Sequence, residues 1–121
     1  PHPARLEQRD FSIHGVYAAG VGLLARVPEI EGLFCATDSI AIGAKKWLEE
    51  HGRRIPADIA LAGIGHSRLS ELVCPKLATA HYYYQASGEE AARDLLEIIE
   101  QGIDRKKQLM LGFEVCPGES V

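Results

Sequence analysis

The sequence predicts an α/β fold with a parallel sheet flanked by helices, and two observations support it. Helix-like segments alternate with short strand-like runs along the chain, and no internal repeat or low-complexity linker interrupts this order. The strand-like runs at residues 33–36 and 59–64 are almost wholly apolar, which is typical of strands covered on both faces. With 121 residues, of which 46% are hydrophobic and 25% charged, the chain suits one domain with its own core.

The first two predicted helices are bounded by residues with capping and terminating roles. Ser12 is expected to cap a helix that ends at about Arg26, before Pro28. Asp38 is expected to cap the next helix, and Gly52 is expected to end it. That helix carries two Lys–Glu pairs with a spacing of four residues on its outer face, Lys45–Glu49 and Lys46–Glu50.

The second half of the chain repeats the alternation of helices and strands. Ser67 is expected to cap a short helix through Leu72, and an extended run follows at residues 77–82. The segment Ser87-Gly88-Glu89-Glu90 matches a capping box and predicts the start of a longer helix that ends at Gly102. Residues 108–115 are expected to form the last strand.

Ligands of open parallel sheets bind at the loops that follow the carboxyl ends of the strands. In this chain those loops are expected at residues 37–38, at residues 65–68 and in the region of residues 82–84. These loops are therefore the expected location of candidate binding residues.

Charge and cysteine content argue against several classes of protein. The net charge is −4 and no basic stripe is visible, so the chain is not expected to bind DNA phosphates by itself. The three cysteines lack metal-ligand spacing, which argues against a disulfide framework and a zinc site. Cys35 lies in an apolar run and is expected to be buried. No apolar stretch approaches the roughly 20 residues of a membrane-spanning helix.

Motifs of common catalytic classes are absent from the sequence. It contains no Gly-x-Ser-x-Gly elbow, no phosphate-binding Gly-Lys-Ser/Thr loop and no His-Glu-x-x-His pair. The cysteines have no nearby histidine in the sequence to activate them. We therefore expect a binding module without catalytic residues, metal or cofactor, and an enzyme remains the more distant alternative.

Three segments resemble the effector domains of LacI/GalR-type transcriptional regulators and occur in that family's order. They are residues 34–44, then Ile55-Pro56-Ala57-Asp58-Ile59 with Gly63-Ile64-Gly65, and finally residues 75–79 with Gly88 further on. The resemblance implies a periplasmic-binding-protein-like (type I) fold of two lobes. It also implies that residues 1–121 are a fragment of the sugar-binding domain, mainly its C-terminal lobe, and that the DNA-binding head is absent.

Within that family, residues 63–68, 81–84 and 110–114 resemble repressors of sucrose operons. The resemblance implies a cytoplasmic repressor of a sugar-utilisation operon that is a homodimer in its intact form and does not contact a membrane. A sugar or sugar phosphate effector would control its binding to operator DNA through the head missing from this chain. A periplasmic solute-binding protein of a sugar ABC transporter has the same fold and is the alternative.

The helix expected at residues 85–102 would cross over and pack on the N-terminal lobe, as the resemblance implies. Its leucines and isoleucines then lack their native partner in this chain. We expect a second copy, a neighbouring molecule or a rearrangement to cover this apolar face.

The resemblance implies six candidate contacts to the sugar effector, namely Phe11, Thr37, Asp38, His66, Arg68 and Tyr84. Phe11 resembles the aromatic residue that stacks on a sugar ring, and a core phenylalanine at a helix start is the alternative. For the loop at residues 37–38 we favour Thr37 as the polar contact and Asp38 as the helix cap. Asp38 could also contact the sugar while it caps the helix.

The family's usual sugar-binding aspartate, at or next to Gly65-His66, is missing from this chain. His66 could bond a sugar hydroxyl, or a phosphate if protonated, and a loop histidine without a ligand is equally expected. Arg68 could bind an anionic effector or form a surface salt bridge. Tyr84 aligns with the family's aromatic residue at the hinge side of the cleft, and hinge packing is its alternative role.

Overall fold

The computed structural model describes residues 22–23, 25–102 and 106–121, and within them it confirms the predicted α/β fold. The element order is β1 (Gly32–Phe34), α1 (Asp38–Glu50), β2 (Ala60–Ile64), α2 (Arg68–Leu72), β3 (Ala78–Tyr82), α3 (Tyr84–Gln101) and β4 (Phe113–Cys116). Residues 22, 23, 25 and 26 are also helical. The predicted helix cap Ser12 and the predicted stacking residue Phe11 lie outside the described residues.

The chain divides into two compact units. The first comprises the chain up to His81 together with Val115–Val121, and the second is Tyr82–Glu114. In the second unit, Lys107 Nζ lies 2.7 Å from Asp94 Oδ1, so this ion pair ties the segment after α3 to the helix.

The four strands lie in the order β1-β2-β3-β4. β1 pairs with β2 and β2 pairs with β3 in parallel, with Leu33 opposite Leu61 and Gly63 opposite Thr79. After β4 the chain reaches the start of β3, where the amide of Glu119 donates to the carbonyl of Lys76 at 2.7 Å. β4 therefore runs antiparallel to its neighbour β3, and the predicted parallel sheet is a mixed one.

The core of the first unit lies between α1 and the sheet. The apolar face of α1 contributes Ala41, Ala44, Trp47 and Leu48, all buried. They pack in two clusters with apolar residues of the strands and loops, among them Cys35, Ile59, Leu61 and Leu77. The predicted burial of Cys35 is confirmed, and burial in this apolar cluster raises the pKa of its thiol to about 12.

The structure confirms the predicted ends of α1 and α3 but not the predicted start of α3. Gly52 adopts the left-handed φ of 74° that ends α1, and both predicted Lys–Glu pairs of that helix form. The predicted capping box at residues 87–90 is wrong, because α3 begins at Tyr84 and the amide of Ser87 already donates to the carbonyl of Tyr83. Gly102 ends α3 as predicted, with a φ of 63°.

Two strands also differ from the sequence-based prediction. β1 is an edge strand, so Phe34 is 69% exposed instead of covered on both faces. Of the run predicted as the last strand, residues 108–112 are not in a strand, and β4 extends one residue beyond its expected end.

The C-terminal segment forms hydrogen bonds to both β2 and β3 through Ser120. The hydroxyl of Ser120 donates to the carbonyl of Leu61 at 2.6 Å and accepts from the amide of Ala78 at 2.8 Å. The carbonyl of Ser120 accepts from the amide of Leu61 at 2.7 Å. A Cβ at Gly118 would lie only 2.3 Å from the amide nitrogen of Ala78, so the close approach requires glycine.

Over the described ranges, every helix is too short or too polar to cross a membrane.

Candidate functional site

The candidate site lies at the carboxyl ends of the parallel strands, where one buried carboxylate joins three segments of the chain. Asp38 is 2% exposed. Its Oδ2 accepts from the amide of Ser67, after β2, at 2.6 Å. Its Oδ1 accepts from the hydroxyl of Thr79, in β3, at 2.5 Å. The start of α1 and the loop after β2 are therefore held together on β3.

The close approach of Asp38 to β2 depends on a glycine. A Cβ at Gly63 would lie 2.7 Å from Asp38 Oδ1 and 3.3 Å from a methyl group of Leu77. The φ of Gly63 is not in the left-handed region, so its backbone conformation does not by itself require glycine. Gly63 is instead required because it leaves room for the carboxylate.

The cap of α1 is Thr37 instead of the predicted Asp38, and the predicted sugar contact of Thr37 stays a prediction. Thr37 is the N-cap of α1, with an extended φ of −147°, and its hydroxyl accepts from the amide of Ile40 at 3.2 Å. The prediction that Asp38 caps this helix is wrong. Asp38 is the first helical residue, and its side chain bonds across the sheet to Ser67 and Thr79.

The loop between β2 and α2 presents His66 in a fixed orientation. His66 has a φ of 51°, rare for a residue other than glycine, and its amide donates to the hydroxyl of Thr79 at 3.2 Å. Its ring lies edge-on to the ring of His81, with 5.4 Å between centroids. Its Nε2 lies 3.6 Å from Glu71 Oε1, and its Nδ1 is enclosed without a hydrogen-bond partner.

Arg68 is the first residue of α2, directly after the helix cap Ser67. The side chain is exposed and forms no ion pair with any other residue that the structure describes. Glu71 of the same helix lies between His66 and Lys76, 3.8 Å from the Nζ atom of Lys76. Of the two roles considered for Arg68, the surface salt bridge is therefore absent among the described residues.

Tyr84 lies in the second unit, at the start of α3. It is 58% exposed, and its ring is edge-on to the ring of Tyr82 at 5.9 Å. Its predicted contact with a sugar stays a prediction, as does that of Phe11, which lies outside the described residues.

Of the predicted contacts, Thr37, Asp38, His66 and Arg68 lie in the two loops that the carboxylate of Asp38 joins. Thr79 and His81 complete this group and were missed by sequence reasoning. The available signal was a polar residue at each of two positions within an otherwise apolar strand. Among the described residues, no group of three or more His, Cys, Asp or Glu side chains is arranged to hold a metal ion.

Comparison with known protein families shows one match over the whole chain. The family described as periplasmic binding protein-like domain matches residues 1–121.

Curated relatives are transcriptional regulators. The chain is 30% identical over 109 residues to the HTH-type transcriptional regulator GntR of Escherichia coli, covering 87% of this chain and 33% of the relative. It is 34% identical over 112 residues to the HTH-type transcriptional repressor PurR of Erwinia tasmaniensis, covering 93% of this chain and 32% of that protein. The chain thus spans about a third of the length of these relatives.

Solved structures of similar fold include proteins that hold sugars. The complex of the transcriptional regulator CelR with cellobiose superposes with a TM-score of 0.89 at 29% identity, covering 93% of this chain and 35% of that chain. A LacI family transcriptional regulator from Enterococcus faecium with bound ribose superposes with a TM-score of 0.82 at 28% identity, covering 93% and 41%.

Proposed function

This chain belongs to the periplasmic-binding-protein-like family, as an effector-binding domain of the LacI-regulator type, and we propose that its full-length protein senses a sugar and thereby controls transcription. The relatives are transcriptional regulators, and the chain is not an enzyme. The proposal concerns the effector, the DNA response and the assembly of the whole protein.

The observation that carries the proposal is the joining of two strand-end loops by Asp38. Its hydrogen bonds to Ser67 and Thr79 hold the loop at residues 37–38 and the loop at residues 65–68 at the same edge of the sheet. Ligands of parallel α/β sheets bind at this edge. Similar structures hold cellobiose, lactose and ribose, which supports a sugar as the effector here.

In this proposal, Thr37, His66 and Arg68 supply polar contacts to the sugar. Asp38 positions the loops, because both its oxygens already accept hydrogen bonds within the protein. The family resemblance also implies that Phe11 stacks on the sugar and that Tyr84 contacts it. The aromatic face suits the C–H side of a sugar ring, and the polar groups suit its hydroxyls.

The proposed switch works through two lobes. This chain forms mainly the C-terminal lobe, and α3 packs its apolar face, including Leu95, Leu96 and Ile99, on an N-terminal lobe. A sugar between the lobes favours one arrangement by as much as its affinity for the two arrangements differs. That change alters how the paired DNA-binding heads of a cytoplasmic homodimer fit the operator.

A sucrose-utilisation operon is the proposed target, supported by the segments at residues 63–68, 81–84 and 110–114. The curated relatives bear the names GntR, CelR, PurR and TreR, so the proposal requires a direct screen of sugars. A periplasmic solute-binding protein, the alternative from the sequence, is not favoured because these relatives are transcriptional regulators.

The test uses the full-length protein and a labelled DNA fragment from upstream of its own operon. Fluorescence anisotropy would follow DNA binding as fructose, sucrose and their phosphates are added, with a scrambled DNA sequence as the control. We expect at least one of these sugars to change the operator affinity about tenfold or more. Operator binding that none of them alters would contradict the proposal.

A variant pair locates the response in the candidate site. His66→Asn is a suitable change because asparagine tolerates the positive φ at this position. We expect it to raise the sugar concentration needed for the half-maximal response. Lys46→Gln removes a cation from the outer face of α1 and is expected to leave the response as it is. A response equally sensitive to both variants would place the sugar elsewhere.

A further inference from the structure

The two strand-end loops of the first unit contain a cation that no described carboxylate compensates. Asp38 contributes the only carboxylate of these loops, and it is buried with both oxygens engaged by Ser67 and Thr79. Glu71, in the helix that follows, faces His66 at 3.6 Å and Lys76 at 3.8 Å. Arg68 is exposed and forms no ion pair with a described residue.

Three other arginines of the described residues bind acceptors within the protein. Arg54 binds Asp58 in a bidentate pair, with bonds of 2.7 and 3.0 Å, and Arg93 binds Glu90. Arg53 donates to the carbonyl of Pro28 at 3.1 Å. Arg68 therefore differs from these three arginines in having no such partner within the described part of the chain, although the net charge of the chain is −4.

This distribution of donors and acceptors bears on the chemistry of the ligand. A neutral sugar presents vicinal hydroxyls, and an accessible carboxylate can accept a hydrogen bond from each of two such hydroxyls. The two loops offer no accessible carboxylate, because Asp38 is enclosed. A guanidinium instead carries five N–H donors in a planar fork that matches the geometry of a phosphate or carboxylate.

We propose that the effector is a sugar that bears an oxyanion, either a phosphate or a carboxylate, and that Arg68 binds this group. The inference rests on the proposed function, because it concerns the effector of that same site. Phosphate and carboxylate share the chemistry that Arg68 recognises, and the experiment separates them.

Calorimetric titration of the full-length protein with matched sugar pairs tests the inference. The pairs are fructose with fructose 6-phosphate, sucrose with sucrose 6-phosphate, and glucose with gluconate. We expect the charged member of at least one pair to bind about tenfold or more tightly than its neutral parent. A preference within the first two pairs identifies a phosphate, and a preference within the third identifies a carboxylate.

Variants of Arg68 assign the preference to this side chain. Arg68→Gln is expected to weaken binding of the charged sugar by about 10- to 100-fold, because a charge-assisted hydrogen-bonded pair is lost. Arg68→Lys keeps the charge without the planar fork and is expected to lose less. Lys46→Gln removes the same unit of charge on the outer face of α1 and is expected to leave the affinity unchanged.

The outcomes separate failure of this inference from failure of the proposed function. A neutral sugar that binds as tightly as its charged partner would overturn the inference and leave the sugar sensor intact. So would an affinity for the charged sugar that stays within twofold in Arg68→Gln. If neither charged nor neutral sugars bind, the proposed function itself falls, and the inference falls with it.

Discussion

The buried carboxylate of Asp38 is expected to be a major source of stability for the strand-end loops. Asp38→Ala would leave the amide of Ser67 and the hydroxyl of Thr79, at 2.6 and 2.5 Å from the carboxylate, without their acceptor. Each hydrogen bond to a charged group contributes about 1.5–3 kcal/mol. Loss of both therefore lowers the free energy of unfolding by roughly 3–6 kcal/mol if the two contributions add. This is a large share of the roughly 5–15 kcal/mol that stabilises a typical domain.

Urea unfolding followed by the fluorescence of Trp47, the single tryptophan of the chain, measures this loss. Asp38→Asn retains one acceptor oxygen and is expected to lose about half as much, which keeps the test informative if the alanine variant does not fold. Lys46→Gln serves as the surface control, with an expected change within about 0.5 kcal/mol. A loss below about 1 kcal/mol in Asp38→Ala would refute the role given to the carboxylate.

Three further predictions concern the sheet and the cysteines. Ser120→Ala removes the hydroxyl that bonds to backbone groups of β2 and β3, and should cost about 1–3 kcal/mol in the same unfolding assay; wild-type stability would argue against this anchor. Gly63→Ala places a methyl group 2.7 Å from Asp38 Oδ1 and should cost about 1–3 kcal/mol, whereas a neutral change would show that the loop can yield. At pH 8, the exposed Cys74 should react readily with a thiol reagent, while Cys35, with its pKa raised to about 12, should react only upon unfolding; equal rates would contradict its burial.

The elements that local signals determine were predicted well. α1 shows this most clearly, because its end depends on Gly52 and its outer face on ion pairs only four residues apart. The short helix α2 was likewise predicted from Ser67, whose hydroxyl accepts from the amide of Ser70. Such interactions are contained within one turn or two, so a single stretch of sequence suffices to predict them.

The candidate site depended on contacts that a linear pattern does not display. Asp38 and Thr79 are 41 positions apart, and Ser120 lies 59 positions from Leu61, so neither pair could be recognised from spacing. The aspartate was therefore read as a cap, the role that its type and position favour locally. In the structure the side chain of Asp38 forms tertiary hydrogen bonds, and Thr37 is the N-cap.

The capping box at residues 87–90 failed for a different reason. The residue types of a capping box also occur within helices, and three residues before Ser87 are already helical. The tyrosine that precedes this helix, Tyr83, forms no side-chain capping bond, so the true start carries no recognisable signal in the sequence. Similarly, the apolar composition of β1 does not reveal that it lies at the edge of the sheet.

The location of the effector tests the central proposal most directly. A crystal structure of the full-length protein with the sugar that alters its operator binding would locate that sugar relative to the strand-end loops. We predict that the sugar lies against Thr37, His66 and Arg68, at the carboxyl ends of β1 and β2. A sugar bound elsewhere, with these three residues untouched, would contradict the account.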